Sequence, residues 1–187
     1  MKKVNKLLNN SLLGLCMAIL TNCGGSGSSG SPVSDPVVSE DNTSMNADGA
    51  GVKLGHGTEL STSYSGLSIE NVYIIDGNDQ KISSSKVAFN TRFSVVYEGV
   101  KNYILKDGKA FPVLSIQVMD NDQQTIISEA DVLGSSDGLS EKDASILRAT
   151  ITVGDPIKPG KYICSIQVMD KNNINSAIVS TWDFEVE

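Results

Sequence analysis

From residue 67 onward the chain is written in short runs of alternating or continuous apolar residues parted by Gly, Asn and Asp. That is the pattern of an antiparallel β-sandwich or barrel, with almost no helical periodicity. Leu67 to Ile75 is apolar-rich and stops at Asp76-Gly77-Asn78-Asp79, a turn sequence. From Lys86 the residues alternate, with Val87, Phe89, Thr91, Phe93, Val95 and Tyr97 on one face and Lys86, Asn90, Arg92 and Ser94 on the other, which predicts one half-buried strand. Further strands are predicted at Thr125 to Ser128, Ile146 to Val153 and Ala177 to Val186. The last of these puts Trp182, Phe184 and Val186 inward and Thr181, Asp183 and Glu185 outward. The loop from Gly134 to Ala144 has room for one helical turn, and the whole adds up to seven or eight strands.

One sequence is used twice. Ser115-Ile116-Gln117-Val118-Met119-Asp120 recurs as Ser165-Ile166-Gln167-Val168-Met169-Asp170, each copy ending in an Asp/Asn turn. Alternation turns Leu114, Ile116 and Val118 inward in the first copy, and Tyr162, Cys164, Ile166 and Val168 inward in the second. Two similar central strands facing each other across a sheet account for the repeat. A doubled binding motif is the functional alternative.

The amino-terminal residues follow a different rule. Lys2, Lys3 and Lys6 precede an apolar stretch from Leu12 to Leu20, which is the layout of a secretory leader. Its apolar core is about half of what a helix needs to cross a bilayer. Leu20-Thr21-Asn22-Cys23 resembles the lipobox of bacterial lipoproteins, with Asn22 departing from the usual small residue before the cysteine. The resemblance implies a signal peptide over 1–22, a fatty-acylated Cys23 and a protein held to the membrane by that lipid, in the cell envelope and specifically the outer membrane of a Gram-negative bacterium. Two or more acyl chains anchor stably where one does not.

After Cys23, residues 24–60 are rich in Gly, Ser and Asp with no sustained period, so 23–60 is expected to be an anchored linker and 61–187 the folded domain. His56, the one histidine, stands between two glycines in that linker and has no visible ligand or catalytic partner. The chain carries 15 Lys and Arg against 22 Asp and Glu; losing three lysines with the leader takes the net charge from −7 to −10. Such a chain repels phosphate backbones, so nucleic acid is an unsuitable partner. With Cys16 lost and Cys23 acylated, Cys164 remains alone and no intrachain disulfide can form.

Pro159-Gly160-Lys161-Tyr162-Ile163-Cys164 resembles the Tyr-x-Cys start of the F strand in immunoglobulin-like domains. The resemblance implies an all-β, antiparallel immunoglobulin-like sandwich in which Tyr162 is a tyrosine corner. It also gives Cys164 and Trp182 structural roles in the core. The strand from Phe89 to Tyr97 holds no cysteine, so packing must replace the inter-sheet disulfide.

Chemistry is sparse. The domain has no histidine, no Gly-rich phosphate loop and no cluster of Cys or His ligands, so neither a catalytic residue nor a cofactor is expected. Asp76, Asp79, Asp120 and Asp122, with Asn78, are candidate oxygen ligands for calcium, although Asp and Asn are also simply good turn formers. Trp182 reads as inward, which leaves Tyr64 and Tyr103 as the aromatics available for a sugar platform. The sequence therefore points to a non-catalytic binding, adhesion or scaffold module with a protein or glycan partner. A small envelope hydrolase with unassigned carboxylates and a glycan-binding accessory protein stand as alternatives.

Overall fold

Alternating side chains give each long strand one apolar face, and those faces meet between two sheets. The computed structural model describes residues 43–45, 51–54 and 58–187; Cys16, Cys23 and His56 lie outside them. The larger sheet runs β1 (Thr43–Met45), β2 (Gly51–Leu54), β3 (Ser61–Ser65), β11 (Asn173–Val186), β10 (Gly160–Asp170), β7 (Pro112–Asp120) and β8 (Thr125–Glu129). The short β5 (Lys86–Val87) pairs parallel with the end of β11. The smaller sheet is β4 (Asn71–Asp76), β6 (Arg92–Glu98) and β9 (Ile146–Thr152), and one turn of helix, α1 (Glu141–Ala144), precedes β9.

This is an immunoglobulin-like β-sandwich: β4, β6 and β9 take positions A, B and E, and β11, β10 and β7 take positions G, F and C. Its core holds Leu114, Ile116, Val118, Cys164, Ile166 and Val168 from the larger sheet against Phe93, Val95, Tyr97, Leu147, Ala149 and Ile151 from the smaller. Phe93 meets Trp182 edge-on with ring centroids 4.9 Å apart, and Trp182 stacks on Phe184 at 5.0 Å. Full burial of each such large apolar side chain contributes roughly 1.5–3 kcal/mol.

The structure departs from the sequence reading in three places. The run from Lys86 to Tyr97 is not one strand: Asn90 adopts a positive φ of 60°, so Val87 joins one sheet and Phe93 the other. Thr91, read as inward, is exposed, while Ser94 and Val96, on the side read as polar, are buried. β6 is the middle strand of its sheet, and Ser94 shares a 2.8 Å hydrogen bond with Thr150 of β9 that satisfies its hydroxyl there. Finally, β1 and β2 fall inside the stretch read as linker, where β2 pairs antiparallel with β3, and Leu60 at its end belongs to the core. With these, β3 and the split, the described residues hold eleven strands rather than seven or eight.

Candidate functional site

Three connections gather at one end of the sandwich. The loop between β6 and β7 contains Lys106-Asp107-Gly108-Lys109, with positive φ at Asp107 (53°) and Gly108 (72°). Two consecutive positive φ values make the tight hairpin turn that an Asp-Gly pair favours. Lys106 and Lys109 exchange backbone hydrogen bonds of 2.9 and 3.0 Å around it.

This loop is tied to the β10–β11 turn by a buried carboxylate. Asp170 is fully buried; its Oδ2 accepts the Ile104 N–H at 2.6 Å and its Oδ1 accepts the Asn172 N–H at 2.9 Å. Asn172 Nδ2 donates back to the Ile104 carbonyl at 2.8 Å, and the Lys171 N–H donates to the Phe111 carbonyl at 2.9 Å. Burying a carboxylate is costly unless donors satisfy it, and here both oxygens are used. The β8–β9 connection joins the same end, because Ala110 and Leu139 bond to each other and Lys109 Nζ donates to the Asp137 carbonyl at 3.0 Å. Tyr103 donates from its hydroxyl to the Ala144 carbonyl at 3.3 Å; burial, reinforced by the Asp170 charge, pushes its phenol above the usual tyrosine range.

What these anchored loops display is apolar. Ile104 is 51 % exposed, Leu105 39 % and Ile174 80 %, although both backbone polar groups of Ile104 are hydrogen-bonded. Such side chains on fixed backbone present ready-made contact surface whose ordering entropy is already spent. This end was not singled out from the sequence; Asp107-Gly108 is the signal that could have found its hairpin, whereas the pairing of Asp170 with Ile104 links positions too far apart in the chain for any local pattern to reveal.

The residues singled out from sequence are elsewhere. Asp76 Oδ1 accepts the N–H groups of Asn78 (2.8 Å) and Gln80 (2.9 Å), and these bonds hold its carboxyl below the usual range. Asp120 Oδ1 accepts from Asp122 (3.0 Å) and Gln124 (2.9 Å), and Asp79 pairs with Arg148 at 2.9 Å. Among the described residues no three carboxylate, cysteine or histidine side chains come together, so the four aspartates are not gathered around one point. Tyr162 lies at the start of β10, where its hydroxyl donates to the Lys158 carbonyl at 2.8 Å and accepts the Lys158 N–H at 3.1 Å, the bonding of a tyrosine corner. Cys164 is buried opposite Trp182, and burial pushes its thiol up to about 12.

Neither tyrosine proposed as a sugar platform offers a free ring face. Tyr64 is on β3 and only 5 % exposed, and Tyr103 is half-buried under its own loop. A third, Tyr73, stands on the outer face of the smaller sheet, but Lys81 Nζ sits 4.1 Å from its ring centre and Glu98 accepts its hydroxyl at 2.7 Å. That hydrogen bond, with burial, raises the Tyr73 phenol to about 12.

No protein-family model matches this sequence, and no curated protein matches it. Among solved structures it is similar to the C-terminal domain of wzt, at 12 % identity over 71 % of this chain and 81 % of that one, with a TM-score of 0.48. A Niemann–Pick type C2 protein from the Japanese carpenter ant is similar at 8 % identity over 66 % of this chain and 95 % of that one, with a TM-score of 0.42. The PmoD soluble domain from a Methylocystis species is similar at 7 % identity over 78 % and 96 % of the two chains, with a TM-score of 0.36.

Proposed function

We propose that this chain is an envelope lipoprotein, held to the membrane through acyl chains on Cys23, whose immunoglobulin-like sandwich is a non-catalytic module for binding a protein partner. The observation that carries the binding reading is the loop end of the domain, where Ile104 and Leu105 stand exposed on a loop that Asp170 and Asn172 tie down at Ile104, and Ile174 stands exposed just past Asn172. Exposed aliphatic side chains on a rigid frame suit the buried centre of a protein interface. The anchoring reading rests on the basic, apolar and Leu20-Thr21-Asn22-Cys23 sequence of the leader.

Two experiments test the two halves. Native envelope bearing the full chain is cross-linked, and the adducts are compared with those of the Ile104→Ser/Ile174→Ser variant. A discrete adduct lost in the variant is expected; adducts unchanged by it would overturn the loop reading. Metabolic labelling with a fatty acid should mark the wild type and not Cys23→Ala. Equal label in both would overturn the anchor.

A further inference from the structure

Four Asp-Gly pairs occur in the sequence, at residues 48–49, 76–77, 107–108 and 137–138; the first lies outside the described residues. In any such pair the glycine nitrogen can attack the aspartate side-chain carbon Cγ. An N–Cγ bond forms, one carboxyl oxygen leaves as water with the amide proton and the carboxyl proton, and a cyclic succinimide results. Water then opens the ring at either carbonyl, restoring aspartate or giving isoaspartate, in which the main chain runs through Cγ. Glycine permits this because no Cβ blocks the approach and its backbone turns freely. The fold sets the rate through three conditions: a carboxyl free to swing and take up its proton, a glycine N–H held by no acceptor, and room for the backbone to rotate.

The three described pairs meet these conditions very differently. Asp76 Oδ1 is held by the N–H groups of Asn78 and Gln80, at 2.8 and 2.9 Å, which keep its carboxyl below the usual range and away from the protonated form that loses water. Gly77 is crowded by Arg92, whose Cγ would stand 3.3 Å from a Cβ there. Asp137 accepts the Ser136 hydroxyl at 3.3 Å, and Gly138 is wedged so that a Cβ would meet the Phe111 ring at 2.8 Å and the Ala110 carbonyl oxygen at 3.0 Å. The backbone bonds between Ala110 and Leu139 pin the residue that follows. Asp107 and Gly108 stand exposed at the hairpin tip, and the Asp107 carboxylate has no hydrogen bond or ion pair among the described residues. Beyond the adjoining residues, no atom lies within 4 Å of where a Gly108 Cβ would stand. The backbone bonds of the turn run between Lys106 and Lys109, which leaves the Gly108 N–H without an acceptor among the described residues.

We infer that Asp107-Gly108 is a modification site, where isoaspartate forms spontaneously in the folded protein while the fold protects Asp76 and Asp137. Releasing two hydrogen bonds, or unpacking a wedged glycine, before the ring can close slows the reaction roughly tenfold or more relative to an open turn. The product does not fit the hairpin. Its main chain is longer by one carbon at Asp107, whereas the turn depends on positive φ at both positions, 53° and 72°. The Lys106–Lys109 backbone bonds therefore open, and with them the tip beside Leu105. The inference stands whether or not this end binds a partner.

The full chain, solubilised in a mild detergent, is aged near neutral pH, digested and mapped by electron-transfer mass spectrometry, which separates isoaspartate from aspartate. A portion aged in denaturant supplies the rate of each pair without the fold. In the folded chain Asp107 should keep a share of its denatured-state rate at least about tenfold larger than the shares kept by Asp76 and Asp137. The inference is overturned if the folded chain leaves Asp107 unmodified while the denatured chain modifies it, or if Asp76 or Asp137 keeps as large a share. Aged protein should also be cut by trypsin after Lys109 several-fold faster than fresh protein, while aged Asp107→Glu, whose longer side chain closes a ring less readily, should not. Equal sensitivity of the aged wild type and the aged variant would overturn the opening of the hairpin.

Discussion

Asp120 and Asp170 close the two copies of one hexapeptide, and each uses Oδ1 to accept the backbone N–H two residues on, at 3.0 Å and 2.9 Å. There the likeness ends. Asp120 is half-exposed and its Oδ1 takes a further N–H from Gln124, inside the same hairpin, while Asp170 is fully buried and its Oδ2 holds Ile104 from a distant loop. The neighbouring positions diverge in the same way. Leu114 and Cys164 each precede the repeat; the Leu114 carbonyl accepts a hydrogen bond from Val132, which is 41 % exposed, whereas Cys164 lies opposite Trp182, which is 1 % exposed. Identical residues thus set the strand and its closing turn, and what packs beside them sets their energetic weight.

The hardest blow to that asymmetry falls beside the second copy. Trp182→Ala removes the side chain against which Phe93 and Phe184 pack and should cost about 3–5 kcal/mol, against about 0.5 kcal/mol or less for Val132→Ala. Denaturant unfolding followed by circular dichroism measures both, since Trp182 is the chain's one tryptophan and its fluorescence goes with it. Equal losses would mean that the two copies are energetically alike.

The aspartates come next. Asp170→Ala empties a fully buried position and removes the acceptor of the part-buried Ile104 N–H, and should cost about 2–3 kcal/mol, while Asp120→Ala, whose freed N–H groups reach water, should cost under about 1 kcal/mol. Proteolysis in the 99–111 loop should also speed up in the first variant and not in the second.

A smaller effect is expected from Cys164. Burial raises its thiol from 9.0 to about 12, so within that window the unfolded chain ionises while the fold keeps the thiol neutral, and stability falls as pH rises through it. Cys164→Val should flatten part of that alkaline loss in unfolding curves. An unchanged pH profile would show the thiol to be open to solvent.

The smallest expected change is none. Asp76 and Asp120 already accept two backbone N–H groups each, and Asp79 is paired with Arg148. The melting temperature in millimolar calcium should stay within about a degree of that in chelator, because only a ligand bound to the native state raises it. A rise of several degrees, abolished by Asp120→Asn with Asp122→Asn, would show that these turns do converge on the ion.

The loop end was missed from the sequence, although one part of it carries a local signal and the other does not. Asp107-Gly108 carries its turn in two residues, since few others tolerate positive φ at both positions. Ile104 and Ile174 are ordinary aliphatic residues in a chain whose other isoleucines are mostly core. Only the folded structure reveals that they face outward.

By itself the sequence determined what period two and turn chemistry can determine: the inward faces of β7, β10 and β11, the all-β class, and the turns at Asp76, Asp120 and Asp170. Each follows from backbone geometry within a few residues. Tertiary structure decided that the run from Lys86 to Tyr97 breaks at Asn90 and serves both sheets, that β2 extends the larger sheet, and that Asp170 is buried where Asp120 is not. Those outcomes depend on which groups arrive from far along the chain to bond or desolvate a residue, and a local pattern carries no record of them.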